Sequence, residues 1–262
     1  MWERASTDCD LGSLLKNLTR APELRCLTLR ECSLERVLEL QATHKFPALR
    51  TISLDLPLHL LWRERIPLSD YSRWLTPVIN RGCFPSLRNL EIVISKSGFC
   101  EWPRRLGNLE PVFRAVESRL EILCILTKNF LLNDDDVAVL QGINWSPNFE
   151  LRIIMRGIDD ENWYTMAHIA KAPSLAALKV YNTAIRDIEK LFVLRMLKNV
   201  YFNECQFDAS EVEDLEQKWT IPDTLFIYDC TPITKKGETK VFGQTPKARP
   251  FPLLTGTYRS YY

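Results

Sequence analysis

Four consecutive residues, Asn133–Asp136, form the densest group of possible metal ligands in the sequence. Carboxylate and amide oxygens suit Ca²⁺ and Mg²⁺, so one hypothesis is a cation site. An apolar pattern with helical spacing follows directly, from Val137 to Ile143, and helix N-termini favour hydrogen-bond acceptors and negative charge. Acidic stretches at Ile158–Glu161 and Asp208–Glu211 stand before two further predicted helices. The recurrence favours helix capping, and we expect no metal ion here.

The sequence offers little for catalysis. The three histidines are His44, His59 and His168, and none lies in a G-x-S-x-G, H-E-x-x-H or P-loop motif. The nine glycines form no G-x-G-x-x-G phosphate-binding motif. We therefore expect a protein that is not an enzyme and uses no cofactor.

A repeated spacing of apolar residues organises the chain instead. Leu197–Phe207 has the form L-x-x-V-x-F-x-x-C-x-F, and Leu24–Leu34 has the form L-x-x-L-x-L-x-x-C-x-L. Residues two apart in a β-strand point to the same side, so the central apolar pair of each copy is expected to face inward. The small cysteine suits a tight bend after the strand. One such unit cannot bury its apolar side alone and needs neighbours.

Six further copies begin at Leu49, Leu87, Leu120, Glu150, Leu175 and Pro222. The fifth copy is degenerate, with Glu150 at a leucine position and with Ile153 and Met155 facing inward. Successive starts are 25, 38, 33, 30, 25, 22 and 25 residues apart. The separations of 38 and 33 exceed the usual 20–29 residues of a leucine-rich repeat. They predict enlarged connections, with helices beginning at Ser69 and running through Leu109–Val116.

Composition limits the compartment and the type of partner. The net charge is +1, which gives no general attraction to nucleic acid or to an anionic membrane. No apolar run reaches the ~18 residues of a membrane span, and Met1–Arg4 does not resemble the start of a secretory signal. The eight cysteines form no C-x-x-C pair, which favours reduced thiols in the cytoplasm or nucleus. Cys32, Cys205 and Cys230 are predicted to be buried free thiols.

Residues 11–230 resemble the leucine-rich-repeat half of F-box proteins, especially the irregular fungal kind. The resemblance is carried by the repeat spacing and by two similar strings, Phe46–Leu54 and Phe84–Ile92. It implies an α/β fold, a leucine-rich-repeat solenoid (horseshoe) with parallel inner strands, outer helices and about eight irregular repeats. The expected domains are a capping helix at 1–23, the repeats at 24–230 and a partly disordered or docked tail at 231–262.

The same resemblance implies a non-catalytic protein-binding module that recognises substrates for an F-box-type ubiquitin ligase. An F-box is not evident in residues 1–23, so binding to the ligase adaptor does not follow from these residues. The alternative is a structural or assembly scaffold in a stable complex.

The candidate binding residues alternate with the inward positions of the later strands, so they share the opposite face. They are Arg152, Arg156, Lys179, Tyr181, Tyr201, Asn203, Phe226 and Tyr228. Aromatic residues and arginine dominate binding hot spots, and this mixture suits an acidic or phosphorylated protein segment. Strand propensity also explains the aromatics, and the C-terminal tail could cover them. No nucleic-acid or membrane partner is expected.

Overall fold

The computed structural model describes residues 23–30, 45–57, 68–95, 106–128, 131–157, 163–208, 224–228 and 230–233. The predicted capping helix, Cys32, the acidic stretch at Ile158–Glu161 and the tail beyond residue 233 lie outside the described residues. The same is true of the predicted helix that follows Asp208–Glu211.

Eight strands form one parallel sheet in which each strand pairs with the next inner strand along the chain. They are β1 Cys26–Arg30, β2 Thr51–Pro57, β3 Asn89–Ser95, β4 Ile122–Lys128, β5 Glu150–Arg156, β7 Leu175–Tyr181, β9 Asn199–Asn203 and β11 Thr224–Tyr228. The α/β class and the parallel strands that the spacing predicted are therefore confirmed.

A continuous row of buried side chains crosses this sheet. Its registered partners, each at most 2% exposed, are Leu54, Ile92, Ile125, Ile153, Leu178 and Val200. All six are residues that the repeat spacing placed inward. Burying apolar side chains of this size is the main favourable term in folding.

The fifth strand departs from the expected register. Leu123 pairs with Leu151 and Ile125 with Ile153, so partners across β4 and β5 are 28 residues apart rather than the expected 30. Glu150 is thus not at the leucine position of that unit. A bulge in β7 follows, because Leu151 pairs with Leu175 while Arg152 pairs with Ala177. The shift of two residues leaves every side chain on its predicted face.

Helices fill the long connections, as the spacing predicted. The helix α1 is Leu68–Asn80, a 3₁₀ turn at Leu106–Leu109 leads into α2 at Glu110–Val116, and α3 is Asp134–Gln141. The buried apolar side chains described on α1 and α2 include Leu75, Val78, Ile79, Val112, Phe113 and Val116. None of the helices in the described residues is long and apolar enough to cross a membrane.

A second parallel sheet, which the sequence pattern missed, follows the later inner strands. Its strands are β6 Tyr164–Thr165, β8 Ala184–Arg186, β10 Gln206–Asp208 and β12 Thr231–Ile233. The helix expected after Glu161 is shortened to the four residues of α4, Met166–Ile169, and β6 precedes it. The next connection contains a 3₁₀ turn at Ile188–Leu191. The outer helices of this part are therefore present in the described connections but shorter than expected. Sheet structure also continues three residues past the expected tail boundary at 230.

Tight bends join the two sheets. Asn182 and Glu204 adopt left-handed conformations, with φ of 48° and 53°, and each is followed by a small buried residue, Thr183 or Cys205. The Cys205 thiol lies 3.4 Å from the carbonyl oxygen of Val180. Cys205 and Cys230 are buried and free, as predicted. Between the sheets, Phe202 and Phe207 pack edge to face with centroids 5.3 Å apart.

Candidate functional site

The acidic cluster at the start of α3 is a helix cap. The Asn133 side chain accepts a hydrogen bond from the Asp136 amide at 3.0 Å, and Asp136 accepts one from the Asn133 amide at 3.1 Å. The other Asp136 oxygen accepts from the Leu106 amide at 2.7 Å, so this buried carboxylate also ties α3 to the preceding connection. Hydrogen bonds from Lys171 and then His168 hold the pKa of Asp134 below its usual value. The described residues contain no group of three ligands that could hold a metal ion.

The eight candidate binding residues lie on the four consecutive inner strands β5, β7, β9 and β11. Tyr201 is the registered partner of both Lys179 and Phe226. Asn203 is the registered partner of both Tyr181 and Tyr228. For Tyr228 only the backbone is described. We call this surface the strand face; it brings together residues up to 76 positions apart in the sequence, from Arg152 to Tyr228.

Three aromatic rings on the strand face stack across the strands. Tyr201 and Phe226 are parallel, with centroids 4.7 Å apart and an interplanar angle of 4°. Tyr181 and Tyr201 are tilted by 42° with centroids 5.4 Å apart. The guanidinium carbon of Arg156 lies 5.2 Å from the centroid of the Tyr181 ring, which is cation–π geometry. Four side chains from four strands thus form one continuous stack.

The stack determines what the rings can offer a ligand. The faces of the three rings contact one another and Arg156, so a partner meets mainly the ring edges and the Arg156 guanidinium group. Aromatic edges carry partial positive charge, and guanidinium groups donate hydrogen bonds. The surface is therefore rich in donors and complements negatively charged or acceptor groups.

The cations of the strand face differ in their surroundings. Arg152 pairs with Glu150 at 2.9 Å, and Lys198 lies 3.5 Å from the same carboxylate. The hydrogen bond from Arg152 is the main reason why the pKa of Glu150 is lowered. Burial, followed by the charge of Arg152, lowers the pKa of Lys179. Arg156 is exposed, and no carboxylate within the described part of the chain forms an ion pair with it.

The structure adds a cation that sequence analysis missed. Lys128 is the registered partner of Arg156 and is exposed at the end of β4. The repeat spacing defines only the two central inward positions of that strand, Leu123 and Ile125, and β4 runs three residues further. Continuing the alternation past Leu126 would have identified Lys128 as an outward residue.

Several other residues that alternate with the inward positions of their strands are nevertheless buried. Ser53, Val93, Cys124, Leu126 and Ala177 are each at most 8% exposed. These side chains are short or apolar, and neighbours on strands only about 4.8 Å away shield them. Burial is also the main reason why the pKa of Cys124 rises to about 12.

Comparisons with known proteins give no relatives: no protein-family model, no curated protein and no solved structure matches this chain. The functional assignment rests on the geometry of the strand face.

Proposed function

We propose that the chain is a leucine-rich-repeat solenoid that binds a protein partner through the strand face and does not itself catalyse a reaction. Three features support the solenoid: inner strands paired in chain order, a continuous buried row, and small residues at the bends. In such an array each unit contacts only its neighbours, and the inner strands together form an extended binding surface.

The observation that carries the proposal is the Arg156–Tyr181–Tyr201–Phe226 stack. Tyrosine and arginine supply large contact area together with directional polar groups, which is why they dominate binding hot spots. Because the stack already fixes these side chains, little conformational entropy is lost when a partner binds. Its donor-rich surface fits an acidic or phosphorylated protein segment.

The specific role we propose is substrate recognition in an F-box-type ubiquitin ligase in the cytoplasm or nucleus. Its support is the resemblance carried by Phe46–Leu54 and Phe84–Ile92. In the structure, Phe46 and Phe84 hold equivalent places before β2 and β3 and stack with centroids 5.8 Å apart. Both phenylalanines are buried, so the two segments match in packing as well as in sequence.

A second candidate role is a scaffold subunit of a stable complex. The supporting observation is apolar surface away from the strand face. Val193 is 74% exposed and Met196 is 50% exposed, in the connection before β9. A permanent partner that covers these side chains would remove apolar surface from water.

Affinity capture with quantitative mass spectrometry tests the two roles against each other. The strand-face variant is Arg156→Ala with Tyr201→Ala, the connection variant is Val193→Asp with Met196→Asp, and the control is Asp135→Ala on α3. Loss of a partner with the strand-face variant alone, together with ubiquitin-ligase subunits in the wild-type capture, supports substrate recognition. Loss with the connection variant alone, and a stoichiometric partner without ligase subunits, supports the scaffold. Thermal unfolding verifies that each variant is folded.

A further inference from the structure

Arginine occupies the position immediately before each of the first three inner strands, at Arg25, Arg50 and Arg88. The Arg25 carbonyl oxygen accepts hydrogen bonds from the amides of Arg50 and Thr51, at 2.9 and 3.0 Å. The Arg50 carbonyl oxygen accepts in the same way from Arg88 and Asn89, both at 2.9 Å. The three arginines therefore occupy equivalent positions at the amino ends of three neighbouring strands, about 4.8 Å apart. We call them the arginine ladder.

The next equivalent position shows how far these side chains reach. Glu121 precedes β4, and its amide donates to the Arg88 carbonyl oxygen at 2.7 Å. The Arg88 Nε lies 3.5 Å from the Glu121 carboxylate. Side chains at successive positions of this edge can thus contact each other. Arg25 with Arg50, and Arg50 with Arg88, are like-charged neighbours at the same spacing, an arrangement that is destabilising without a counter-charge.

Positive charge at this edge is only partly compensated. Arg25 and Arg50 are exposed, and no carboxylate in the described residues forms an ion pair with either. Close by, the Nε of Arg119 is buried without a hydrogen-bond partner among the described residues. Burial is the main cause that lowers the pKa of Arg119, and the charge of Arg88 is the second. Three separate observations therefore place excess positive potential at one edge of the sheet.

We propose that the arginine ladder is a second binding site and that its ligand is an acidic helical segment of a partner protein. The backbone positions of the second and third arginines lie about 4.8 and 9.6 Å from that of the first. Acidic residues three and seven apart on a helix are separated by about 4.5 and 10.5 Å along its axis. Guanidinium groups bind carboxylates through two parallel hydrogen bonds, so Arg25 and Arg50 can each hold one acidic side chain in this way. The Arg88 Nε lies near Glu121 and its Nη1 donates to the Leu87 carbonyl oxygen at 3.0 Å, so Arg88 can add a contact to a third acidic side chain through its Nη2.

Charge favours a short acidic segment over a nucleic acid. The whole chain has a net charge of only +1. Glu121 lies at the end of the ladder, and Glu117, which accepts a hydrogen bond from the Asn144 amide, is in the adjoining connection. These carboxylates would repel a phosphate backbone that continued past the ladder. The strand-face cations Lys128 and Arg156 lie at the carboxyl ends of their strands, whereas the arginine ladder lies at the amino ends. The two sites are therefore at opposite ends of the parallel strands.

Fluorescence anisotropy with a designed peptide tests the proposal. The probe is a labelled alanine-rich helical peptide with glutamates at positions i, i+3 and i+7, compared with a scrambled peptide of equal charge and with a labelled oligouridylate. The test variant is Arg25→Gln with Arg50→Gln. The charge-matched control is Arg186→Gln with Arg195→Gln, which removes two exposed arginines outside both proposed sites.

We expect the test variant to bind the patterned peptide at least about tenfold more weakly and the control to bind like the wild type. The patterned peptide should bind more tightly than the scrambled peptide and the oligouridylate. In the absence of any ligand, Arg50→Gln should raise the melting temperature, because it relieves like-charge contact. Equal weakening by the control, tighter binding of the oligouridylate, or a lower melting temperature of Arg50→Gln would each overturn the proposal.

Discussion

Gly157, directly after β5, lies so close to Asn182, at the bend after β7, that a methyl group on Gly157 would have no space. A Cβ at Gly157 would lie 1.5 Å from the Asn182 carbonyl oxygen and 2.4 Å from its carbonyl carbon. The Gly157 amide also donates to the Tyr181 carbonyl oxygen at 2.7 Å. The backbone segments that follow two neighbouring strands are thus in direct contact.

Gly157→Ala should therefore destabilise the fold by at least about 3 kcal/mol, since the neighbouring group is backbone and cannot move aside easily. Chemical denaturation measures the loss. The matched control is Gly142→Ala at the end of α3, where a Cβ would meet the nearest atoms at an ordinary 3.5 Å. That change should alter stability by less than about 1 kcal/mol. Similar stabilities for the two variants would show that Gly157 and Asn182 are not in backbone contact.

Leu178 tests the buried row. It is fully buried between its registered partners Ile153 and Val200, so Leu178→Ala should cost about 2–5 kcal/mol. The exposed Val193→Ala is the control and should change stability by less than about 0.5 kcal/mol. Thermal or urea unfolding provides the comparison. An unchanged melting temperature for Leu178→Ala would refute the register of β7.

Thr127 and Thr183 form a matched pair of buried hydroxyls. The Thr127 hydroxyl is fully buried and has no hydrogen-bond partner among the described residues, whereas the Thr183 hydroxyl donates to the Tyr181 carbonyl oxygen at 2.9 Å. Thr127→Val should therefore leave stability unchanged or raise it by up to about 1 kcal/mol, because no hydrogen bond is lost. Thr183→Val should lower it by about 1 kcal/mol. The reverse order in denaturation would contradict the two environments.

Thiol labelling followed by peptide mass spectrometry should distinguish the cysteines. The thiolate is the reactive form, so a raised pKa slows reaction. Burial, followed by hydrogen bonding to Cys230, raises the pKa of Cys205 well above its usual value, and burial raises that of Cys124 to about 12. Burial also raises the pKa of Cys26, but Cys26 is exposed and the other four cysteines of the described residues are buried. At about pH 8, Cys26 should therefore react first among these five. Rapid native-state labelling of Cys205 or Cys230 would disprove their burial.

The regular part of the sheet was predictable because hydrophobic spacing and strand pairing express the same periodicity. Six separations between successive copies agree with the registers of the paired strands. The predicted register of β5 against β4 was wrong because Leu151, Ile153 and Met155 are all apolar, and two registers bury them equally well. Only pairing with β4 decides between those registers.

The second sheet was not predictable from spacing. Its strands are two or three residues long, too short for a periodic signal. At β8 and β10, a left-handed residue, Asn182 or Glu204, redirects the chain after the inner strand, and the two short strands then pair. The same limit hid the arginine ladder, since its residues stand just before the strands and outside the central apolar pairs.

The second sheet has a consequence for the spacing of the later units. A helix with its side chains is about 10–12 Å wide, whereas paired strands are about 4.8 Å apart. The strands β8, β10 and β12 pair in the same order as β7, β9 and β11, so both sheets hold these units at the spacing of one strand. The centroids of Tyr201 and Phe226, 4.7 Å apart, repeat that spacing, so the stack presents a partner with one ring per strand.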